Sequence, residues 1–260
     1  MTDKLVTIVV PVAHSDPYLD TCLESLINQS YGEIEIFVVG SALDSDTRSR
    51  FEPFSDAVVY IEQRGGTGPG HARNMALERS AGEYVAFCDA DDYYHITHVE
   101  KELDTLTSSA AGLTYGDYTF INAAGSETLS VTIPEWDFKS WIRKWYIALS
   151  TVMTTREALV RVRLFDEHLP IAEDFDLLWK LSDIIPFART PGLLTYRRIH
   201  PLNTSRATLT LLTSRYQVYK SHGRPYAGLL SFARGLIVEP ALRFLYGHTS
   251  LYASVRRLMR

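Results

Sequence analysis

Gly82-Glu83-Tyr84-Val85-Ala86-Phe87-Cys88-Asp89-Ala90-Asp91-Asp92 carries an apolar strand straight into three carboxylates within four residues. A strand covered on both faces reads as a near-continuous apolar run, and ligands of open α/β sheets gather beyond the carboxyl ends of the strands. The acids therefore stand where a substrate would bind. Hard oxygen donors at this density suit Mg2+ or Mn2+, ions that keep several waters and bind through one or two carboxylates plus the phosphates of a substrate. A nucleoside diphosphate is the ligand class this suggests. The competing reading is a turn in which Asp89, Asp91 and Asp92 only cap the helix beginning near His95.

The flanking sequence supplies the sheet that such a strand needs. Leu5 to Val12 is rich in β-branched residues, and Ser15-Asp16-Pro17 predicts a cap and a first-turn proline for the helix that follows. Tyr18, Leu19, Cys22, Leu23, Leu26 and Ile27 recur at helical spacing. Strands are expected at Ile34 to Val39, Val58 to Ile61 and Tyr84 to Cys88, with a helix over Gly70 to Arg79 between the last two. This alternation predicts an α/β fold with a Rossmann-like, mostly parallel central sheet and right-handed crossovers. Further strands are expected at Leu113 to Tyr118 and Leu193 to Arg197, with helices near 95–108, 137–148, 156–161 and 174–184.

A chain of 260 residues that is 46% hydrophobic can bury a sizeable core. No stretch approaches the roughly 20 apolar residues that span a bilayer, and the first residues do not read as a signal peptide, so a cytoplasmic location is expected. Cys22 and Cys88 fall at apolar positions and read as buried, reduced thiols.

The net charge of −5 is unevenly spread: from Arg206 onward nine Lys or Arg face the single acid Glu239. This divides the chain into a body, 1–205, and a basic amphipathic helical extension, 206–260. Leu229, Leu230, Phe232, Leu236, Ile237, Leu242, Phe244 and Leu245 interleave with the basic residues, which fits helices packed on the body or lying peripherally on the inner face of a membrane. Both readings stand. Nucleic acid is not an expected partner of so acidic a body, and a homodimer is left open.

A dinucleotide-binding fold would carry Gly-x-Gly-x-x-Gly after the first strand, where this chain has Pro11-Val12-Ala13-His14-Ser15. The glycines come later, at Gly65, Gly66, Gly68 and Gly70. They lie between a strand and a helix, where backbone N–H groups could hold an anion beside Arg64 or Arg73.

Six motifs in order resemble the family-two inverting glycosyltransferases of the GT-A fold, over about the first 205 residues. Thr7-Ile8-Val9-Val10-Pro11-Val12 looks like the opening strand and Cys22-Leu23-Glu24-Ser25-Leu26-Ile27-Asn28-Gln29-Ser30-Tyr31 like the first helix. Gly70-His71-Ala72-Arg73-Asn74 matches the glycine-alanine-arginine-asparagine helix start, and Asp89-Ala90-Asp91-Asp92 the Asp-x-Asp metal motif. Leu164-Phe165-Asp166-Glu167 leads to the catalytic Glu-Asp segment Ala172-Glu173-Asp174-Phe175-Asp176-Leu177, and Tyr196-Arg197-Arg198-Ile199-His200 resembles the closing pattern. There are departures. Ser41 stands where the family has an acid that contacts the nucleobase, with Asp44 and Asp46 as alternatives in the next loop, and His14 stands where the family often has Asn.

The resemblance implies attack of an acceptor hydroxyl on a sugar C1, opposite the departing nucleoside diphosphate. It makes Asp174 the general base, paired with Glu173, and makes Asp91 the direct ligand of Mn2+ or Mg2+, with Asp89 on the metal or the ribose and His200 completing the metal site. Pro11, Ala13, His14, Ser41, Arg64, Gly70, Arg73, Asp89, Ala90 and Asp91 would line the donor, a UDP-sugar by family default. The acceptor would be a glycan or lipid-linked intermediate of polysaccharide biosynthesis. At a helix start the macrodipole is expected to depress the Asp174 pKa and keep the base ionised. Trp136, Trp141 and Trp145 fit either core packing or acceptor binding. A sugar nucleotidyltransferase would need the glycine loop after the first strand, and a non-catalytic nucleotide-sugar-binding protein is suggested by the loss of the acid at Ser41.

Overall fold

The computed structural model describes residues 4–13, 15–66, 68–200, 208–233 and 235. Strand β1 (Val6–Val12) is flanked in parallel by β2 (Ile34–Gly40) and β4 (Tyr84–Phe87), with β3 (Val59–Glu62) outside β2. Their apolar runs are explained by cover on both faces. Ile8 and Val10 point to a core built with Leu19, Cys22, Leu23 and Leu26 of α1 (Leu19–Ile27) and Val99, Leu103 and Leu106 of α4 (His98–Ser108). Val9, Phe37 and Val39 point the other way, to Ala72, Ala76 and Leu77 of α3 (Gly68–Arg79), as strand alternation requires.

The parallel order expected from the sequence holds through β4; beyond it the sheet is mixed. The strand order is β3-β2-β1-β4-β8-β6-β9-β5, with β7 (Glu127–Val131) also on β6. β8 (Val152–Thr155) runs antiparallel between β4 and β6 (Leu113–Ile121), while β9 (Phe187–Arg198) runs parallel to β6 and antiparallel to β5 (Tyr93–Tyr94). β9 starts six residues earlier than its pattern suggested. Its register against β6 shifts at Gly116/Asp117 and Asp117/Tyr118, opposite the Pro191-Gly192 irregularity, where Gly192 has φ 113°.

Other boundaries move for local reasons. Asp16 does not cap α1: its Oδ1 accepts from Tyr18 N (2.9 Å), its N–H donates to Thr47 Oγ1 (2.9 Å), and the helix starts at Leu19. Asp44 caps a helix that no apolar period announces, α2 (Ser45–Phe51), by accepting from Thr47 N at 2.8 Å. α5 (Phe138–Lys144) stops short of 148 because Trp145 turns left-handed, φ 46°. α6 (Arg156–Arg161) lies where expected, and α7 (Glu173–Ser182) carries the acidic pair at its first turn.

Trp141 is fully buried, with its ring centroid 4.9 Å from that of Phe175, so it belongs to the core; Trp136 and Trp145 are half-buried against the same cluster. Cys22 and Cys88 are buried free thiols with Sγ atoms 3.7 Å apart.

The packed reading of the extension holds for α8 (Thr208–Ser221), where Leu211, Leu212, Val218 and Tyr219 are buried. Tyr219 donates its hydroxyl to Ile142 O (2.5 Å), and just beyond α8 His222 stacks on Trp179 and reaches Asp176 Oδ1 at 3.0 Å. Residues 225–233 are helical and leave Tyr226 82% and Leu230 74% exposed. Leu236, Ile237, Leu242, Phe244 and Leu245 lie outside the described residues. Among the described residues no helix is long and apolar enough to cross a membrane.

Candidate active site

Because β1 to β4 are parallel, their carboxyl ends open on one edge of the sheet. Pro11 is half-buried near the end of β1 and Ala13 exposed just after it; Ser41 is exposed after β2, its carbonyl accepting from Tyr60 OH at 2.9 Å. Arg64, 79% exposed, follows β3 and pairs with Glu62 at 3.2 Å. His14 lies outside the described residues.

After β4 the chain turns tightly, Asp92 N donating to Asp89 O at 2.9 Å, with Ala90 buried beneath. Carboxylate oxygens of Asp89, Asp91 and Asp92 come within 4.8 Å of one another. The three acids are not equivalent. Asp92 is 4% exposed and accepts from Ser150 Oγ (2.7 Å) and Arg198 N (2.9 Å), tying the turn to β9; burial and the Asp91 charge push its carboxyl up to about 8. Asp89 and Asp91 keep 38% and 21% of their side chains exposed. Burial first, and then the charges of Asp89 and Asp16, push Asp91 up to about 7. Crowded, partly desolvated oxygens of this kind match the donor chemistry of a hard divalent cation, whose charge would offset the repulsion.

His200, expected at this cluster, reaches it through Asp91, with Nε2 2.8 Å from Oδ2. Arg73 makes the second link. Buried to 3% exposure on α3, it donates from Nη2 to Asp89 Oδ1 (2.8 Å) and from Nη1 to Glu173 Oε1 (2.6 Å), so one guanidinium joins the Asp-x-Asp turn to the Glu-Asp segment. A fork of fixed donors meets two carboxylates in a way an ammonium could not. The approach of α3 to this segment is close: a Cβ on Gly70 would lie 3.3 Å from Glu173 Cγ. Asn74 completes the seam, exchanging hydrogen bonds with Phe165 N (3.1 Å) and O (3.0 Å) and donating to Glu167 Oε1 (2.8 Å).

Asp174, half-buried beside Glu173, accepts from Phe175 N at 2.7 Å. The expected depression of its pKa is reversed. Burial, and then the Glu173 charge, outweigh Arg73 and the Phe175 N–H and push the Asp174 carboxyl up to about 7.

Asp16, Arg198 and Ser150 also border the acids. Asp16 in the β1–α1 turn acts electrostatically on Asp91, and burial raises its own pKa. The Arg198 guanidinium lies 4.3 Å from the Tyr18 ring centroid, and its Nε donates to Asp91 O at 3.1 Å. The Tyr196 to His200 motif signalled Arg198; nothing local signals Ser150, which joins Asp92 across 58 residues.

The family model described as "Glycosyl transferase family 2" matches residues 7–169. An uncharacterized glycosyltransferase of Haemophilus influenzae is 27% identical over 178 residues, covering 63% of this chain and 67% of that protein. UDP-Glc:alpha-D-GlcNAc-diphosphoundecaprenol beta-1,3-glucosyltransferase WfaP of Escherichia coli is 25% identical over 224 residues, 85% of this chain and 87% of that one. Other curated relatives are longer, the chain spanning 34% of an uncharacterized glycosyltransferase of Rickettsia felis. Among solved structures, S. aureus TarS 1-349 in complex with UDP-GlcNAc aligns with TM-score 0.69 at 18% identity, over 89% of this chain and 71% of that one. Mannosyltransferase PcManGT from Pyrobaculum calidifontis, in complex with GDP-Man and Mn2+, aligns with TM-score 0.66 at 18% identity, over 98% and 80%. At those identities the likeness is one of fold, the GT-A fold.

Proposed function

Since the chain belongs to glycosyl transferase family 2, we propose that it moves a sugar, with inversion, from a nucleotide-diphosphate donor to a hydroxyl of a glycan or lipid-linked acceptor in polysaccharide synthesis. One observation carries this reading: Arg73 contacts both Asp89 and Glu173, at 2.8 and 2.6 Å, which brings the Asp-x-Asp turn and the Glu-Asp pair together. A UDP-sugar is the favoured donor, supported by UDP-GlcNAc on TarS and by the UDP-Glc in the WfaP name. The diphosphoundecaprenol in that name supports a lipid-linked acceptor.

Asp89 and Asp91, with His200 against Asp91, would hold Mg2+ or Mn2+, which supplies electrostatic stabilisation to the departing diphosphate. Arg64, Gly70, Arg73 and Ala90 would lie along the phosphates, and Pro11, Ala13, His14 and Ser41 along the nucleoside. Asp174 takes the proton of the acceptor hydroxyl, assistance typically worth about 10²- to 10⁴-fold. Residues 1–205 would form the catalytic body. The 206–260 extension would pack through α8 and touch anionic lipid with its remaining basic and apolar residues, giving a cytoplasmic protein peripheral to the membrane. Equal liposome partitioning with and without 225–260 would remove that contact.

The deciding experiment pairs transfer assays with calorimetry on Asp174→Asn. Transfer is expected to vanish while UDP affinity in Mn2+ stays near wild type. Wild-type-like turnover in that variant would remove the base, and donor binding by the unaltered chain without transfer across an acceptor panel would favour a non-catalytic binding protein.

A further inference from the structure

His71, in the first turn of α3, lies between two oxygens that only accept. Its Nε2 is 3.0 Å from the Arg64 carbonyl oxygen and its Nδ1 is 2.8 Å from Glu167 Oε2. A neutral imidazole has one N–H and can donate once; only the imidazolium donates from both nitrogens. We propose that protonated His71 staples the glycine-rich turn at 64–66 to the segment that leads into Glu173 and Asp174, acting as a positioning residue that sets donor affinity by its proton. The role in donor affinity rests on the proposed reading of the glycine-rich turn as part of the donor site; the staple itself does not.

The surroundings are built around the ring. A Cβ on Gly66 would stand 2.7 Å from His71 ring atoms, so any side chain there would displace the imidazole or the turn. On the far side Glu167 is fixed by Asn74 Nδ2 at 2.8 Å as well as by His71, and Asn74 also holds both backbone groups of Phe165. The charged groups facing the site agree with a retained proton. The Arg64 carbonyl raises the His71 pKa above its ordinary value of 6.5, as do Glu167 and Glu78, against partial burial. His168 acts on Glu167, whose own pKa is lowered, chiefly by Asn74. The Arg64 guanidinium is directed to Glu62 at 3.2 Å.

When the proton leaves, either tautomer keeps one of the two bonds. The turn is then released from the 165–173 segment, whichever bond survives. Donor affinity should fall with rising pH, while turnover at saturating donor is unmoved by this group.

Two measurements on the full chain test the proposal. In the ligand-free protein, NMR titration of the His71 ring should give a pKa above 6.5 that drops in Glu167→Gln. A ring titrating at or below the ordinary value in the unaltered chain would overturn the staple, whatever the protein catalyses. In transfer assays the donor KM should rise about tenfold, the worth of one charge-assisted hydrogen bond, as His71 deprotonates. His71→Gln should start from the weaker KM and lose this pH dependence. A KM profile unchanged in His71→Gln, or a change in kcat instead of KM, would overturn the link to the donor even with the NMR result intact.

Discussion

Arg73 Nη1 and Glu173 Oε1 lie 2.6 Å apart although one hundred residues separate them in the chain. Both side chains are nearly excluded from solvent, and the other arm of the guanidinium is on Asp89. Removing one member of such a pair leaves an uncompensated buried charge. Arg73→Met should therefore lower stability by roughly 3–5 kcal/mol, with Arg73→Lys recovering little because a single ammonium cannot span both carboxylates. Urea unfolding of both variants checks this; a loss below about 1 kcal/mol for Arg73→Met would mean that the link is loose.

The raised pKa of Asp174, about 7, fixes the sign of an activity profile. A general base must be ionised, so kcat/KM for the acceptor at saturating donor should be flat above that value and fall about tenfold per pH unit below it. A profile that stays flat well below pH 6 would place the base elsewhere.

Glu102 offers a stability test away from the acidic cluster. It is fully buried on α4, one carboxylate oxygen accepting from Thr190 Oγ1 at 2.9 Å, and burial raises its pKa from 4.5 to about 7. The folded chain keeps the proton that the unfolded chain has lost, so stability falls as pH rises from 4.5 to about 7 and stays lower above. Glu102→Gln should be more stable than wild type at pH 8, by up to about 3 kcal/mol, with no difference near pH 4. Denaturant midpoints at the two pH values decide it, and a destabilised variant at pH 8 would contradict the assignment.

His98, one turn before Glu102, behaves in the opposite sense. Its buried ring stacks on Tyr94 and bonds Leu194 O through Nδ1 at 3.1 Å, and burial lowers its pKa from 6.5 to about 3. Below pH 6.5 the unfolded chain takes up a proton that the folded chain refuses, so this residue costs about 1.4 kcal/mol of stability per pH unit on acidification. The difference between wild type and His98→Phe, followed by urea unfolding from pH 7 to 5, should show that slope; parallel curves would refute it.

Much of this molecule is legible in its sequence because the signals are local. Val6 to Val10 and Tyr84 to Phe87 are buried on both faces and read as near-continuous apolar runs. The acids at β4's end announce themselves by spacing, and the pair at α7's start by its resemblance to the family's Glu-Asp segment. What escaped was short or interrupted. β5, β7 and β8 have two, five and four residues, too few to show a period, and Pro191-Gly192 hides the first half of β9.

The chain alone determined its family, its parallel first half and which acids to watch, since motif order and hydrophobic period depend on neighbours a few residues apart. Only the tertiary structure decided how those acids differ. It spends Asp92 on Ser150 and the Arg198 backbone, leaves Asp89 and Asp91 partly open, and joins Asp89 to Glu173 through Arg73. It also reverses the expected depression of the Asp174 pKa. Burial and pairing across a hundred residues follow from strand order and register, which bring distant segments to one sheet edge, and no local pattern encodes the desolvation that results.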